Sequence, residues 1–222
     1  MKTKLPSLGT FHWHNVAQFG GALNDNLFKL LVIYTMAVAW PEKDKNEVNA
    51  IVGAVFAIPF LFFIGAAGIL ADRIRKHNIV RGIKLLEVGV MTFGAAAVYY
   101  ENKWMLLGGM FLMSFQSSLF SPCKFGILPE LVGRENISRA NSLMQAAGYL
   151  AMILGTVAAP ILYLRFNNLA GIACILVALA GLIGAFRIAP TPLSGSTQKA
   201  SPFFLKDIFR SLKFIHHDGF LA

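Results

Sequence analysis

Of the 222 residues, 56% are hydrophobic and only 14% charged, with 19 Phe and 20 Gly. A soluble domain carries about a quarter charged residues, so composition excludes an ordinary soluble fold and points to helices packed in lipid, where Gly lets backbones approach. The net charge of +9 falls in short clusters between apolar runs, which marks membrane topology and not a nucleic-acid surface.

Six apolar segments follow in order, at 11–39, 48–70, 79–100, 104–128, 139–164 and 168–188. Each is near the roughly 20 residues a helix needs to cross a bilayer, and none alternates with period two as a barrel strand does. The expected class is therefore an all-α polytopic membrane protein with six transmembrane helices joined by short connections. The first run is too long for a signal-peptide core. Starting the chain inside leaves only Lys43, Lys45, Lys103 and Arg165 outside. Lys29 and Lys124 lie in or at the edge of the membrane, and the rest of the 20 Lys and Arg are cytoplasmic. That bias predicts two cytoplasmic termini.

The first segment holds QFGGALNDNLFK, residues 18–29. Asn24, Asp25, Asn26 and Lys29 fall near its middle, where a charge is costly unless paired or wetted. Asp25 and Lys29 share one helix face. They read as a self-neutralising pair, as a site for a polar or charged substrate group, or as a proton-linked carboxylate. Asn24 and Asn26 offer donors and acceptors beside the carboxylate. Gly20 and Gly21 permit a close helix approach or a bend.

The next connection, GILADRIRK at 68–76, carries Asp72 and Arg73 in a tight, positively charged cytoplasmic loop. Asp72 opposes the local charge bias, which suggests an ionic latch. In the third segment Lys84 stands one turn from Glu87 and can neutralise it. In the fourth, Pro122 is expected to loosen the helix beside Lys124. Lys124 either snorkels to the surface or serves the polar path, and Glu130 either pairs with it or faces water. Cys123 and Cys174 lie inside apolar segments and read as small core residues.

After the sixth segment, residues 189–202 (APTPLSGSTQKASP) have linker composition. Residues 203–217 repeat apolar positions at helical spacing among basic ones, as an interfacial amphipathic helix does. Residues 218–222 look like the start of a seventh apolar segment. Enzyme and cofactor readings find no support: there is no phosphate loop, no His-x4-Asp acyltransferase centre, and His12 and His14 have no third ligand nearby for a metal.

Gly68, Leu70, Ala71, Asp72 and Arg73 match the GxLADR loop motif of the major facilitator superfamily, with Arg75 where that motif has Gly. The stretches FGGALNDNLFK, FSPCKFGILPEL and ISRANSLMQAAGYLAMILG resemble its lysophospholipid transporter branch, over about residues 18–155. This branch also occurs fused to acyltransferase and acyl-carrier-protein ligase domains. The resemblance implies a twelve-helix fold in two halves with the substrate cavity between them. On that basis this chain supplies the N-terminal half: residues 1–188, as three-helix repeats at about 11–100 and 104–188. A second six-helix half or a second copy would complete it.

The resemblance further implies inward movement of lysophosphatidylethanolamine-type lipids across a bacterial inner membrane for re-acylation. It gives Asp25 a role in transport, with Asn26 and Lys124 beside it, and Asp72 and Arg73 a gating role on the cytoplasmic side. The competing readings are a superfamily transporter of another small molecule or drug, and a non-transporting truncated module or anchor for an acyltransferase.

Overall fold

The computed structural model describes residues 8–192, apart from the side chains of residues 8, 66 and 69–73. Most of the 189–202 linker, the 203–217 amphipathic helix and the 218–222 segment lie outside the described residues. All regular structure in the described part is helical: α1 Leu8–Ala39, α2 Lys45–Arg73, α3 Lys76–Tyr99, α4 Lys103–Gly126, the short α5 Leu128–Val132, α6 Ile137–Phe166 and α7 Gly171–Phe186. One 3-10 turn, Arg134–Asn136, precedes α6 and another, Asn167–Leu169, follows it.

The six apolar segments correspond to α1, α2, α3, α4, α6 and α7. Four helical stretches are long and apolar enough to cross a membrane: Gly9–Ala39, Lys45–Gly65, Lys76–Tyr99 and Arg134–Leu169. α4 has 24 residues but falls outside that set, because Ser114, Gln116, Ser117 and Ser118 dilute its apolar character. α7 is apolar throughout but only 16 residues long. It starts later than the sequence suggested because Asn167, in the left-handed region at φ 47°, breaks the chain into a 3-10 turn. Asn tolerates that conformation better than most residues.

Pro59, Pro122 and Pro160 all sit inside continuous helices. A membrane helix accepts proline when neighbours satisfy the loosened backbone, and the Ser114 hydroxyl donates to the Phe56 carbonyl close to Pro59. The start of α4 is capped by Asn102, whose side chain accepts from the amides of Trp104 and Met105 at 3.0 and 3.1 Å. The C-terminal carbonyls of α7 are met by Arg81, which donates to Ala185, Phe186 and Ile188 at 3.4, 3.2 and 2.8 Å. A cation there satisfies orphan carbonyls and complements the helix dipole.

Helix α1 packs against α6 and α7, α2 against α4, and α3 against α4 and α7. Lipid tails are as apolar as Leu, so close packing must hold such helices together. Phe28 is fully buried, and its ring fills the space left by two glycines. A Cβ on Gly94 would meet the ring at 2.6 Å and one on Gly109 at 3.2 Å. α6 approaches α1 at Gly155, where a Cβ would lie 2.8 Å from the Leu23 carbonyl. Large apolar side chains stay exposed on α2 (Leu61, Phe62, Ile64) and α6 (Ile153, Val157, Ile161).

The bundle extends past the expected limit at 188. Thr191, the third residue of the expected linker, is buried at 3% exposure. Its amide donates to His77 Nδ1 at 2.9 Å, which ties the chain back onto the start of α3.

Candidate functional site

The middle of α1 turns its consecutive polar residues in different directions, as the 100° step of an α-helix requires. Asn24 points into the bundle and is 1% exposed. Its amide donates to Glu87 Oε1 of α3 at 3.0 Å and to the Cys174 carbonyl of α7 at 3.1 Å. Asp25 is half-buried and faces α4, where the Ser117 hydroxyl donates to its Oδ1 at 2.7 Å. Asn26 is also half-buried and donates to the Ala22 carbonyl of its own helix at 2.8 Å.

Asp25 and Lys29 do not form the self-neutralising pair that their spacing allowed. Ion pairs among the described residues join Lys43 to Glu47, Lys76 to Glu130 and Lys84 to Glu87. Lys29 instead reaches towards α2, with Nζ 5.5 Å from the centre of the Phe56 ring. The two share a helix face, but their side chains diverge, the Asp25 carboxylate to Ser117 of α4 and the Lys29 ammonium to Phe56 of α2. Lys124 is half-buried near the end of α4, with Nζ 5.0 Å from the Phe125 ring and in electrostatic reach of Asp25. Its carbonyl is met by the buried ring of His14 at 2.9 Å.

Glu130 is not the partner of Lys124. It pairs with Lys76 at the start of α3, because α5 carries it away from α4. Asp72 and Arg73 fall in the last turn of α2 and not in a loop; their side chains lie outside the described residues.

The centre of the polar network is the pair the sequence made least of. Lys84 and Glu87 are 0% and 1% exposed and meet at 2.6 Å. The ammonium sits 5.1 Å from the Phe120 ring centre. It lies against Gly21, where a Cβ would come within 2.8 Å of Nζ. Glu87 also has Gln116 Nε2 of α4 at 3.5 Å, and Gln116 Oε1 is 3.4 Å from Ser117 Oγ. A hydroxyl has one proton, and the shorter contact gives it to Asp25. Gln116 thus extends the Glu87 cluster to within 3.4 Å of the Ser117–Asp25 pair, and no hydrogen bond joins the two. The cluster of Ser114, Gln116, Ser117 and Ser118 in the middle of α4 was the sequence signal for Gln116 and Ser117. Among the described residues no group of three His, Cys, Asp or Glu is placed to hold a metal ion.

Comparison with known proteins adds relationships to this geometry. The sequence model of the Major Facilitator Superfamily matches residues 18–222. The lysophospholipid transporter LplT of Escherichia fergusonii is 30% identical over 173 residues, covering 77% of this chain and 40% of that protein. Those of Enterobacter sp. and Citrobacter koseri are 27% and 29% identical, over 206 and 177 residues. They cover 91% and 78% of this chain, and 49% and 41% of their own lengths. The chain therefore spans less than half the length of these curated relatives.

Proposed function

The chain belongs to the Major Facilitator Superfamily, and we propose that its helices form one half of a transporter that moves lysophospholipids across a bacterial inner membrane. As a member of that family it is a multi-pass membrane protein of a transport class and not an enzyme. In this reading α1, α2, α3, α4, α6 and α7 all cross the membrane, both termini are cytoplasmic, and a second six-helix half or a second copy faces the open side.

The observation that carries the reading is the half-buried carboxylate of Asp25 in the middle of an apolar helix, with one oxygen tied to Ser117. A fixed carboxylate with a free oxygen suits an ammonium-bearing head group, and Lys124 and Lys29 suit its phosphate. Asn26 stands beside them as a further polar contact. The exposed apolar faces of α2 and α6 suit an acyl chain or surrounding lipid. The relatives named for lysophospholipid transport support the substrate class. Asp72 and Arg73, ending α2, would gate the cytoplasmic side, and an acyltransferase would consume the delivered lysolipid.

The test is flipping of a fluorescent lysophosphatidylethanolamine in proteoliposomes containing this chain, with dithionite quenching as readout. Wild-type flipping reduced at least tenfold in Asp25→Asn is expected. Equal flipping by the two proteins would remove Asp25 from the mechanism. No flipping by either would show that this chain does not transport unaided.

A further inference from the structure

We infer that Asn24 is a positioning residue for Asp25, held in place by Glu87 of the buried Lys84–Glu87 pair; the inference rests on the reading of Asp25 as the head-group carboxylate. Both amide protons of Asn24 are committed, one to Glu87 Oε1 at 3.0 Å and the other to the Cys174 carbonyl at 3.1 Å. Two acceptors on two different helices fix the orientation of that amide and stop it turning. Because residues 24 and 25 are neighbours on one helix, locking the first sets the azimuth of the second. With a helix radius of about 5–6 Å including side chains, a rotation of about 10° would carry the Asp25 carboxyl roughly 1 Å. That is enough to break its 2.7 Å contact with Ser117.

Two further observations support a positioning role over a purely stabilising one. Asn24 Oδ1 is buried with no hydrogen-bond partner among the described residues. An orphaned buried oxygen costs stability, which offsets part of what the two donated hydrogen bonds contribute to the fold. A fully buried ion pair is likewise weak as a source of stability, since an apolar pair of similar volume often does as well. What the pair does supply is a stationary carboxylate. Glu87 is held from one side by the Lys84 ammonium at 2.6 Å, itself confined between the Phe120 ring and the notch at Gly21. The contacts clamp α1 from α3 and α7 at Asn24 and from α4 at Asp25, so three helices set the position of one carboxylate.

The discriminating experiment compares two double variants that both remove the ion pair. Lys84→Met/Glu87→Gln keeps an acceptor for Asn24; Lys84→Met/Glu87→Leu does not. Each is prepared with 13C-carboxyl aspartate in nanodiscs, and the Asp25 resonance is identified by its loss in Asp25→Asn. Lysophosphatidylethanolamine binding is titrated in parallel by native mass spectrometry.

The Gln double should keep the wild-type Asp25 resonance and affinity. The Leu double should shift and broaden that resonance and bind roughly tenfold more weakly, the scale of one lost hydrogen bond to a charged group. Asn24→Leu should reproduce the Leu double, and it decides the matter if that double does not fold. Leu131→Ala, a cavity variant at a 1% exposed residue of α5, should lower stability and leave the resonance in place. The same Asp25 resonance in both doubles, or an unmoved resonance in Asn24→Leu, overturns the positioning role. If the wild-type chain binds no lysolipid, the head-group reading fails while the resonance still decides the positioning.

Discussion

Removing one member of the Lys84–Glu87 pair should not cost the same as removing the other. Glu87→Gln strands an ammonium that is 0% exposed, whose remaining neighbour of note is the Phe120 ring at 5.1 Å. Breaking a buried pair in this way costs about 3–5 kcal/mol. Lys84→Met strands a carboxylate that still has Asn24 Nδ2 at 3.0 Å and Gln116 Nε2 at 3.5 Å. Two neutral donors to a charged acceptor recover part of the loss, at about 1.5–3 kcal/mol for a good one and less for the longer contact. The net cost of Lys84→Met should therefore be about 1–3 kcal/mol. The combined Lys84→Met/Glu87→Gln variant leaves no charge buried and should return to within about 1 kcal/mol of wild type. At roughly 2–4 °C per kcal/mol for a chain of this size, Glu87→Gln should melt roughly 10 °C below wild type and Lys84→Met distinctly less. The assay is tryptophan fluorescence during heating of the purified chain in detergent. A Lys84→Met loss equal to or larger than that of Glu87→Gln refutes the reasoning, as does a double variant less stable than both singles.

The adjacent glycines of α1 should behave differently in the same melt. Gly20→Ala places a methyl 3.5 Å from the Gly181 backbone, an ordinary contact, and should be neutral or stabilising by about 0.5–1 kcal/mol through helix propensity. Gly21→Ala drives a methyl to 2.8 Å from Lys84 Nζ and should cost about 1–3 kcal/mol, a loss relieved in the Lys84→Met background. Gly155→Ala meets the Leu23 carbonyl at 2.8 Å, where only separation of α1 and α6 gives relief. It should also cost about 1–3 kcal/mol, measured by chemical denaturation. For Lys76 and Glu130, each 13% exposed, a charge reversal at either position should lower the melting temperature. The exchange Lys76→Glu/Glu130→Lys should restore most of it; failure of the exchange to rescue would remove the pair as a tie between α3 and α5.

The sequence by itself determined the helical class, the number and order of the apolar segments, and most of the residues around which the polar interior is built. These follow from local physics. An apolar run of sufficient length satisfies its own backbone only as a helix, and charged residues stand out against it. One contact within a helix turn, Lys84 with Glu87, was also legible, whereas Asp25 and Lys29 at similar spacing found other partners. The packing of α1, α3, α4 and α7 decided the rest. In a soluble protein the polar face of a helix marks the direction away from the core. In a helix apolar on every side that mark is absent. Thus Asn24 and Asp25 looked alike in sequence, yet one is clamped by α3 and α7 and the other meets Ser117 on α4. Glu130 found Lys76 and not Lys124, and Lys29 found Phe56 and not Asp25. Each of these depends on which neighbouring helix lies within a side chain's reach, and only the tertiary arrangement sets that.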